Sequence, residues 1–378
     1  QEQRDAHMSG VQGTFSEFTP AREYSFGKFF GYAGTFTTEQ LDFVRADDSV
    51  VDFVEADQVM RISKPVHDLQ ENVVLYPNKT NSEKSDKACQ IQVEATWGLV
   101  RTAERDLNIN GEYNYDDTNL GKGVDAYIID TGIYREHVEF GEPTRARFGF
   151  NSIVGEEGDY DGNGHGTHVA GTVGAKDYGI AKECNLVAVK VLSAGGSGST
   201  TGVIDGVEFT CKDHEDKKNK CVANMSLGGG KSDAMNRAVD ELVACGCATA
   251  VASGNEARDG CLSSPASADG VYSVNSMDSE DKISYFSNYG TCTQIFAPGS
   301  GITSTWIGSR FAINTISGTS MASPHVCGVM AKLAEAESDD PQSIYDDLTR
   351  ESTPNKVTSI PGNPNDTPNR LLYSACQV

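Results

Sequence analysis

Three segments set an acid, a base and a nucleophile beside glycines. Ala126-Tyr127-Ile128-Ile129-Asp130-Thr131-Gly132 ends a short apolar run in a carboxylate. Asp161-Gly162-Asn163-Gly164-His165-Gly166-Thr167-His168-Val169-Ala170-Gly171 opens a helix with the imidazole of His165. Ser317-Gly318-Thr319-Ser320-Met321-Ala322-Ser323-Pro324-His325 places Ser320 at a glycine-turned helix start, where free backbone N–H groups can hold a developing oxyanion. Singly, these read as a strand-end Asp, a flexible loop and an N-cap Ser. Together they supply a hydroxyl nucleophile, a base to activate it and an acid to orient the base. Two metal chemistries fail on spacing. Asp159, Asp161 and Asn163 imitate the first ligands of an EF-hand loop, but its twelfth position is Ala170 instead of Glu. His165 and His168 lack the glutamate of an HExxH site.

Such side chains must be carried by rigid elements. Residues 125–129, 186–192, 222–227, 248–252 and 271–274 are short apolar runs. Helical patterns over 201–210, 233–244 and 320–335 lie between or after them. Continuous apolar strands alternating with helices imply a parallel sheet covered on both faces, with ligands at the carboxyl ends of its strands. Residues 1–63 differ. They hold no Cys and read as a small α+β unit, with strands at 29–36 and 50–54 and a helix at 37–46 opened by the capping box Thr37-Thr38-Glu39-Gln40. Residues 64–92 read as a polar linker, and the unit carrying the chemistry spans 93–378.

The 378 residues are 38% hydrophobic and 22% charged, which supports a packed core. No apolar run approaches the roughly 18 residues of a membrane-spanning helix. The net charge of −23 repels phosphate, so nucleic acid is excluded as a partner. Ten Cys without CxxC pairs point to a few disulfides in an exported protein and not to zinc. Asn78-Lys79-Thr80 is a glycosylation sequon in the linker, while Asn224-Met225-Ser226 lies on a buried run.

The order Asp, His, Ser, with all three glycine-flanked motifs, resembles the subtilases, most closely their proteinase K-like branch. Trp97-Gly98-Leu99 resembles the start of that family's catalytic core, and residues 24–63 resemble its inhibitory propeptide. The resemblance implies a three-layer αβα subtilisin-like fold with a mostly parallel sheet, preceded by a small ferredoxin-like α+β propeptide, here N-terminally truncated. It implies a serine endopeptidase with Asp130, His165 and Ser320 as triad and Asn255 as oxyanion donor. Gly195, Gly196, Ser197 and Gly198 on one side, and Ser226, Leu227 and Gly228 on the other, are expected to clamp an extended substrate. Ala252 and Gly254 leave room for an apolar P1 side chain, with Glu256 at the pocket mouth accommodating a basic one.

The resemblance further implies a Cys261–Cys292 disulfide. Cys211 and Cys221 flank a charged loop and are expected to pair, and Cys327 is expected as a free buried thiol. No cofactor is expected for catalysis. Calcium is common in the family, but Gln294 stands where the branch has an aspartate ligand, and no metal site is assigned. The propeptide cut is placed between Ser63 and Lys64, leaving residues 60–63 in the groove, with a cut at 91–95 as the alternative. The expected partners are protein and peptide substrates and the chain's own propeptide, for a secreted monomer. The alternative function is a subtilase that cleaves only itself and then acts as a binding protein.

Overall fold

Strands rich in Val, Ile and Ala, buried on both faces, build the centre of the molecule. The computed structural model describes residues 2–62, 82–83, 89–156, 158–362 and 366–376. The N-terminal unit comprises α1 (Glu2–Thr14), the hairpin β1 (Arg22–Phe26) and β2 (Phe29–Ala33), α2 (Thr38–Arg45) and a tail strand β3 (Val59–Ile62). A three-stranded sheet follows, made of β4 (Ser82–Glu83), β5 (Cys89–Gln92) and, after α3 (Trp97–Thr102), β6 (Tyr113–Asp116). Next come β7 (Val124–Asp130), β8 (Ala146–Asn151), α4 (His165–Gly174), β9 (Asn185–Lys190), β10 (Ser197–Ser199) and α5 (Thr200–Lys217). β11 (Lys220–Met225), β12 (Leu227–Gly230), α6 (Asp233–Ala244), β13 (Cys247–Ala252), β14 (Ser263–Ser264) and β15 (Tyr272–Met277) continue the alternation. The chain closes with β16 (Ile295–Pro298), β17 (Ile302–Thr305), β18 (Ile313–Ile316), α7 (Thr319–Ala336), α8 (Pro341–Glu351), β19 (Thr353–Pro354) and β20 (Arg370–Leu371).

The central sheet runs β19-β20-β16-β15-β13-β11-β7-β9-β8, and only the β19–β20 pair is antiparallel. Alternate residues serve opposite layers. Ala126 and Ile128 face the core shared with α4 and α7, while Tyr127 and Ile129 face the core under α5 and α6. The neighbours of β7, β9 and β11, lie on its two sides, so the strand order reverses there. Such a switch point opens a crevice at the carboxyl end of the strand, and that end is Asp130.

In the small unit, Met8, Val11, Phe18 and Val44 form a core of their own. Tyr24 and Phe26 join the larger core beneath α5 and α6. The expected capping box at Thr37 and Gln40 is present. The expected strand at 50–54 is absent: Val51 and Val54 turn toward the small core, while Phe53 lies under the Arg237 guanidinium. The expected strand at 29–36 ends at Ala33.

Four disulfides join Cys89 to Cys376, Cys211 to Cys245, Cys221 to Cys247, and Cys261 to Cys292. The Cys261–Cys292 pairing is as expected, and Cys327 is a buried free thiol together with Cys184. The expected Cys211–Cys221 pair is not formed. Cys221 and Cys247 sit in register on the neighbouring strands β11 and β13, with Cα atoms 4.7 Å apart. Cys211, on α5, instead meets Cys245 at the end of α6, the helix packed beside it.

Candidate active site

The chemistry converges at the carboxyl end of β7. Asp130, His165 and Ser320 are all inaccessible to solvent. His165 begins α4, and a side chain at Gly166 would stand 2.2 Å from the Gly132 carbonyl. Glycine there lets the helix start close onto the strand end. His165 Nδ1 then lies 2.8 and 3.0 Å from the two Asp130 carboxylate oxygens. The Thr131 N–H also donates to Asp130, at 2.7 Å. His165 Nε2 is buried with no hydrogen-bond partner.

Asp161 secures this junction. Its Oδ1 accepts from Thr131 Oγ1 and from the N–H groups of Asn163 and Gly164, all at 2.9 Å. Its Oδ2 accepts from the N–H and hydroxyl of Thr167, inside the first turn of α4. Sequence reasoning weighed Asp161 only as a calcium ligand. It stands three residues ahead of Gly164, the residue that caps α4, and from there accepts the Thr167 N–H that a capping side chain would ordinarily take.

Ser320 enters from α7, the helix through the centre of the core. Its Oγ donates to the Ser226 carbonyl at 3.1 Å, and Ser226 Oγ donates back to the Ser320 carbonyl at 2.9 Å. Asn255 follows β13. Its Oδ1 accepts from the N–H of Thr319 at 2.9 Å and from its hydroxyl at 2.8 Å, which commits the carbonyl side and leaves the amide N–H groups as donors. Thr319 was not singled out from the sequence, since only a contact across 64 residues reveals it.

Buried imidazoles surround the site. Burial pushes His168 down to about 3, and its Nε2 faces the Ile302 carbonyl at 3.0 Å. Burial likewise pushes His325 down to about 4, with Nδ1 2.8 Å from the Met321 carbonyl. Both are therefore neutral at ordinary pH.

The two glycine segments form the walls of a groove, and the chain's own tail lies in it. β3 pairs antiparallel with β10, matching Arg61 to Ser197 and Met60 to Gly198. On the other side it pairs antiparallel with β12, matching Ile62 to Leu227 and Arg61 to Gly228. The Gly196 carbonyl accepts from the Ile62 N–H at 3.0 Å. Met60 is fully buried against the core under α5 and α6. Gly195 lies in the exposed turn before β10, and Ser226 is buried behind the opposite wall. A cavity of about 450 Å³ adjoins the tail and is lined by Ile62, Gly228, Ala252, Gly254, Asn255 and Glu256. Glu256 is exposed at its rim and accepts from Asn288 Nδ2 at 2.8 Å. Arg258 also lines this cavity, which the sequence did not suggest.

The subtilase family profile matches residues 121–361. The chain belongs to the subtilase family. It is 41% identical over 371 residues to a cuticle-degrading serine protease of Arthrobotrys oligospora, a match covering 95% of this chain and 82% of that protein. With alkaline protease 2 of Aspergillus fumigatus it shares 42% identity over 368 residues, covering 92% and 69%. The crystal structure of a cold-adapted subtilisin-like serine proteinase matches with a TM-score of 0.69 at 42% identity, covering 75% of this chain and 100% of its own. As a subtilase the protein is a serine endopeptidase, and subtilases cut peptide bonds without a cofactor. Gln294 Oε1 accepts from the Ser273 N–H. Among the described residues no three His, Cys, Asp or Glu side chains gather as a metal site.

Proposed function

We propose that this subtilase is an exported, self-processing endopeptidase that works through Asp130, His165 and Ser320, with residues 1–63 as its inhibitory propeptide. The observation that carries the reading is the tail Val59–Ile62. It lies between two antiparallel walls and ends at a cavity lined by Asn255. An extended substrate would bind the same way, by strand addition.

In this mechanism Ser320 Oγ turns toward His165 Nε2, gives it the proton and attacks the substrate carbonyl. Asp130 holds the Nδ1–H side of the ring and stabilises the imidazolium. The Asn255 amide and the Ser320 backbone N–H at the start of α7 receive the oxyanion. His165 protonates the leaving amine, and water then cleaves the acyl-enzyme by the same route.

The cavity takes a large apolar P1 side chain, and Glu256 at its rim admits a basic one. The cut falls between Ser63 and Lys64, positions outside the described residues, as is the sequon at Asn78. Residues 64–92 then remain with the catalytic unit 93–378. Supporting this, β5 is already built into that unit: Gln90 is buried, Gln92 donates to the Asp177 carbonyl at 2.7 Å, and Cys89 is bonded to Cys376. The solved relative, matched over its whole length, accounts for 75% of this chain, whereas the two named sequence relatives extend over 92–95%. The enzyme acts as a monomer on protein and peptide substrates, and its own propeptide is its first partner.

Fluorophosphonate labelling of Ser320, before and after removal of the N-terminal unit, tests this. Labelling that rises on removal, together with hydrolysis of added peptide, is the expected result. Labelling without hydrolysis of any added peptide would favour a subtilase that cuts only itself.

A further inference from the structure

Lys190 ends β9 beside the catalytic strand and is almost completely buried. Its ammonium donates to the Thr131 carbonyl and to the Leu192 carbonyl, each at 2.8 Å. Its third partner is the Glu156 carboxylate at 3.0 Å. Burying this cation costs desolvation, which its carboxylate and two carbonyl partners offset, and removing the carboxylate would leave a buried charge uncompensated. Glu156 comes from the loop after β8, where Asn151 Nδ2 donates to its carbonyl at 2.9 Å.

The same carboxylate has a second task. Both of its oxygens accept from the Ala194 N–H, at 2.9 and 3.1 Å. The Ala194 carbonyl accepts from Asn163 Nδ2 at 2.8 Å, and Asn163 Oδ1 accepts from the His165 N–H at 3.2 Å. Ala194 is thus pinned on both sides of its backbone. It lies in the turn 193–196, closed by the Gly196 N–H donating to the Ser193 carbonyl at 2.8 Å. The next group along, the Gly196 carbonyl, is the one that receives the Ile62 N–H.

We propose that Glu156 is a positioning residue: paired with buried Lys190, it holds the turn 193–196 where the Gly196 carbonyl can receive an extended substrate. One carboxylate thereby ties the substrate wall to the end of β7 that carries Asp130. The proposal rests on the peptidase reading above and adds to it a device acting on peptide binding, not on bond cleavage.

Substrate length provides the test. A tetrapeptide p-nitroanilide uses the wall, whereas N-acetyl-tyrosine ethyl ester reaches only the P1 pocket and the triad. In the processed enzyme, Glu156→Ala should raise the tetrapeptide KM about 5-fold, the scale of one weakened hydrogen bond. Its kcat should stay within about 2-fold, and ester kinetics should not change. Glu156→Gln, which keeps an oxygen for Ala194, should recover part of the loss, and it preserves the test should the alanine variant fold poorly. An unchanged tetrapeptide KM in variants that still take fluorophosphonate overturns the proposal, as does an equal loss on both substrates. A parental chain that neither labels nor hydrolyses either substrate overturns the peptidase reading itself.

Discussion

The N-terminal unit and the catalytic unit are held by different means. The catalytic unit owns two large apolar layers on either side of a nine-stranded sheet. The N-terminal unit has a core of four buried residues and adds its hairpin to its neighbour's core. Its tail β3 pairs with both groove walls and buries Met60, and two of its polar contacts fall on helix starts. The Glu55 carboxylate accepts from Ser232 Oγ and the Asp233 N–H at the start of α6. Asp57 accepts from the N–H and hydroxyl of Thr201 at the start of α5. Free N–H groups and the helix dipole make such positions favourable for carboxylates. A unit attached this way can be ordered by its partner and still be given up, whereas a body organised around buried strands cannot be taken apart piecemeal.

The contrast predicts separable effects. Ser320→Ala should lower kcat by about 10⁶-fold and leave the N-terminal unit uncleaved, while the fold of the catalytic unit is kept; hydrolysis at the parental rate would remove Ser320 as nucleophile. Asn255→Ala should cost about 10²–10³ in kcat with little change in KM, read from steady-state kinetics on a peptide substrate.

Acid should act on the catalytic interior. Folded-state values for His168 (about 3) and His325 (about 4) lie below the ordinary value of 6.5. As pH falls the unfolded chain therefore takes up these protons first. Stability present above pH 6.5 is lost as pH drops toward 4, on the order of 3 kcal/mol for His325 alone. His325→Asn, which can keep an N–H for the Met321 carbonyl, should flatten the chemical-denaturation stability curve between pH 6.5 and 4. A curve that keeps its full slope would show that this imidazole is not the sensor.

The smallest change should come at the junction. Glu55→Ala with Asp57→Ala removes two helix-end carboxylates and should weaken binding of the cleaved N-terminal unit about 30-fold, measured as its rate of release from an immobilised catalytic unit. The kcat of the freed enzyme should match the parent. A coupled loss of kcat would mean that the two units are not independently held.

Legibility followed how local each signal is. Asp130, His165 and Ser320 were legible together, as three glycine-flanked motifs in one order, although each alone read as an ordinary strand end, loop or cap. The helix over 233–244 could be read to the residue, since its apolar spacing and the Ser232 cap lie within one window. Asp161 was weighed only as a metal ligand, although four of its five hydrogen bonds reach residues within six positions. Thr319 and Glu156 were missed as supports because their partners are distant in sequence. The pairing of Cys211 misled for the same reason. Cys221 is its neighbour along the chain, but the register of β11 against β13 assigns Cys221 elsewhere. Helix α1 also went unread, since its 13 residues lack a sustained apolar stripe, with only His7, Met8 and Val11 buried.

The bond between Cys89 and Cys376 joins positions 287 apart in sequence and closes the chain between them into a covalent ring. A peptidase at high concentration is surrounded by copies of itself, and frayed chain ends are what those copies could most readily seize. Within the ring neither end of the catalytic unit can peel away alone. One internal cut opens the circle without releasing a fragment. By loop-closure entropy such a link constrains the unfolded chain by about 5–6 kcal/mol. Such a ring would slow self-digestion through topology alone.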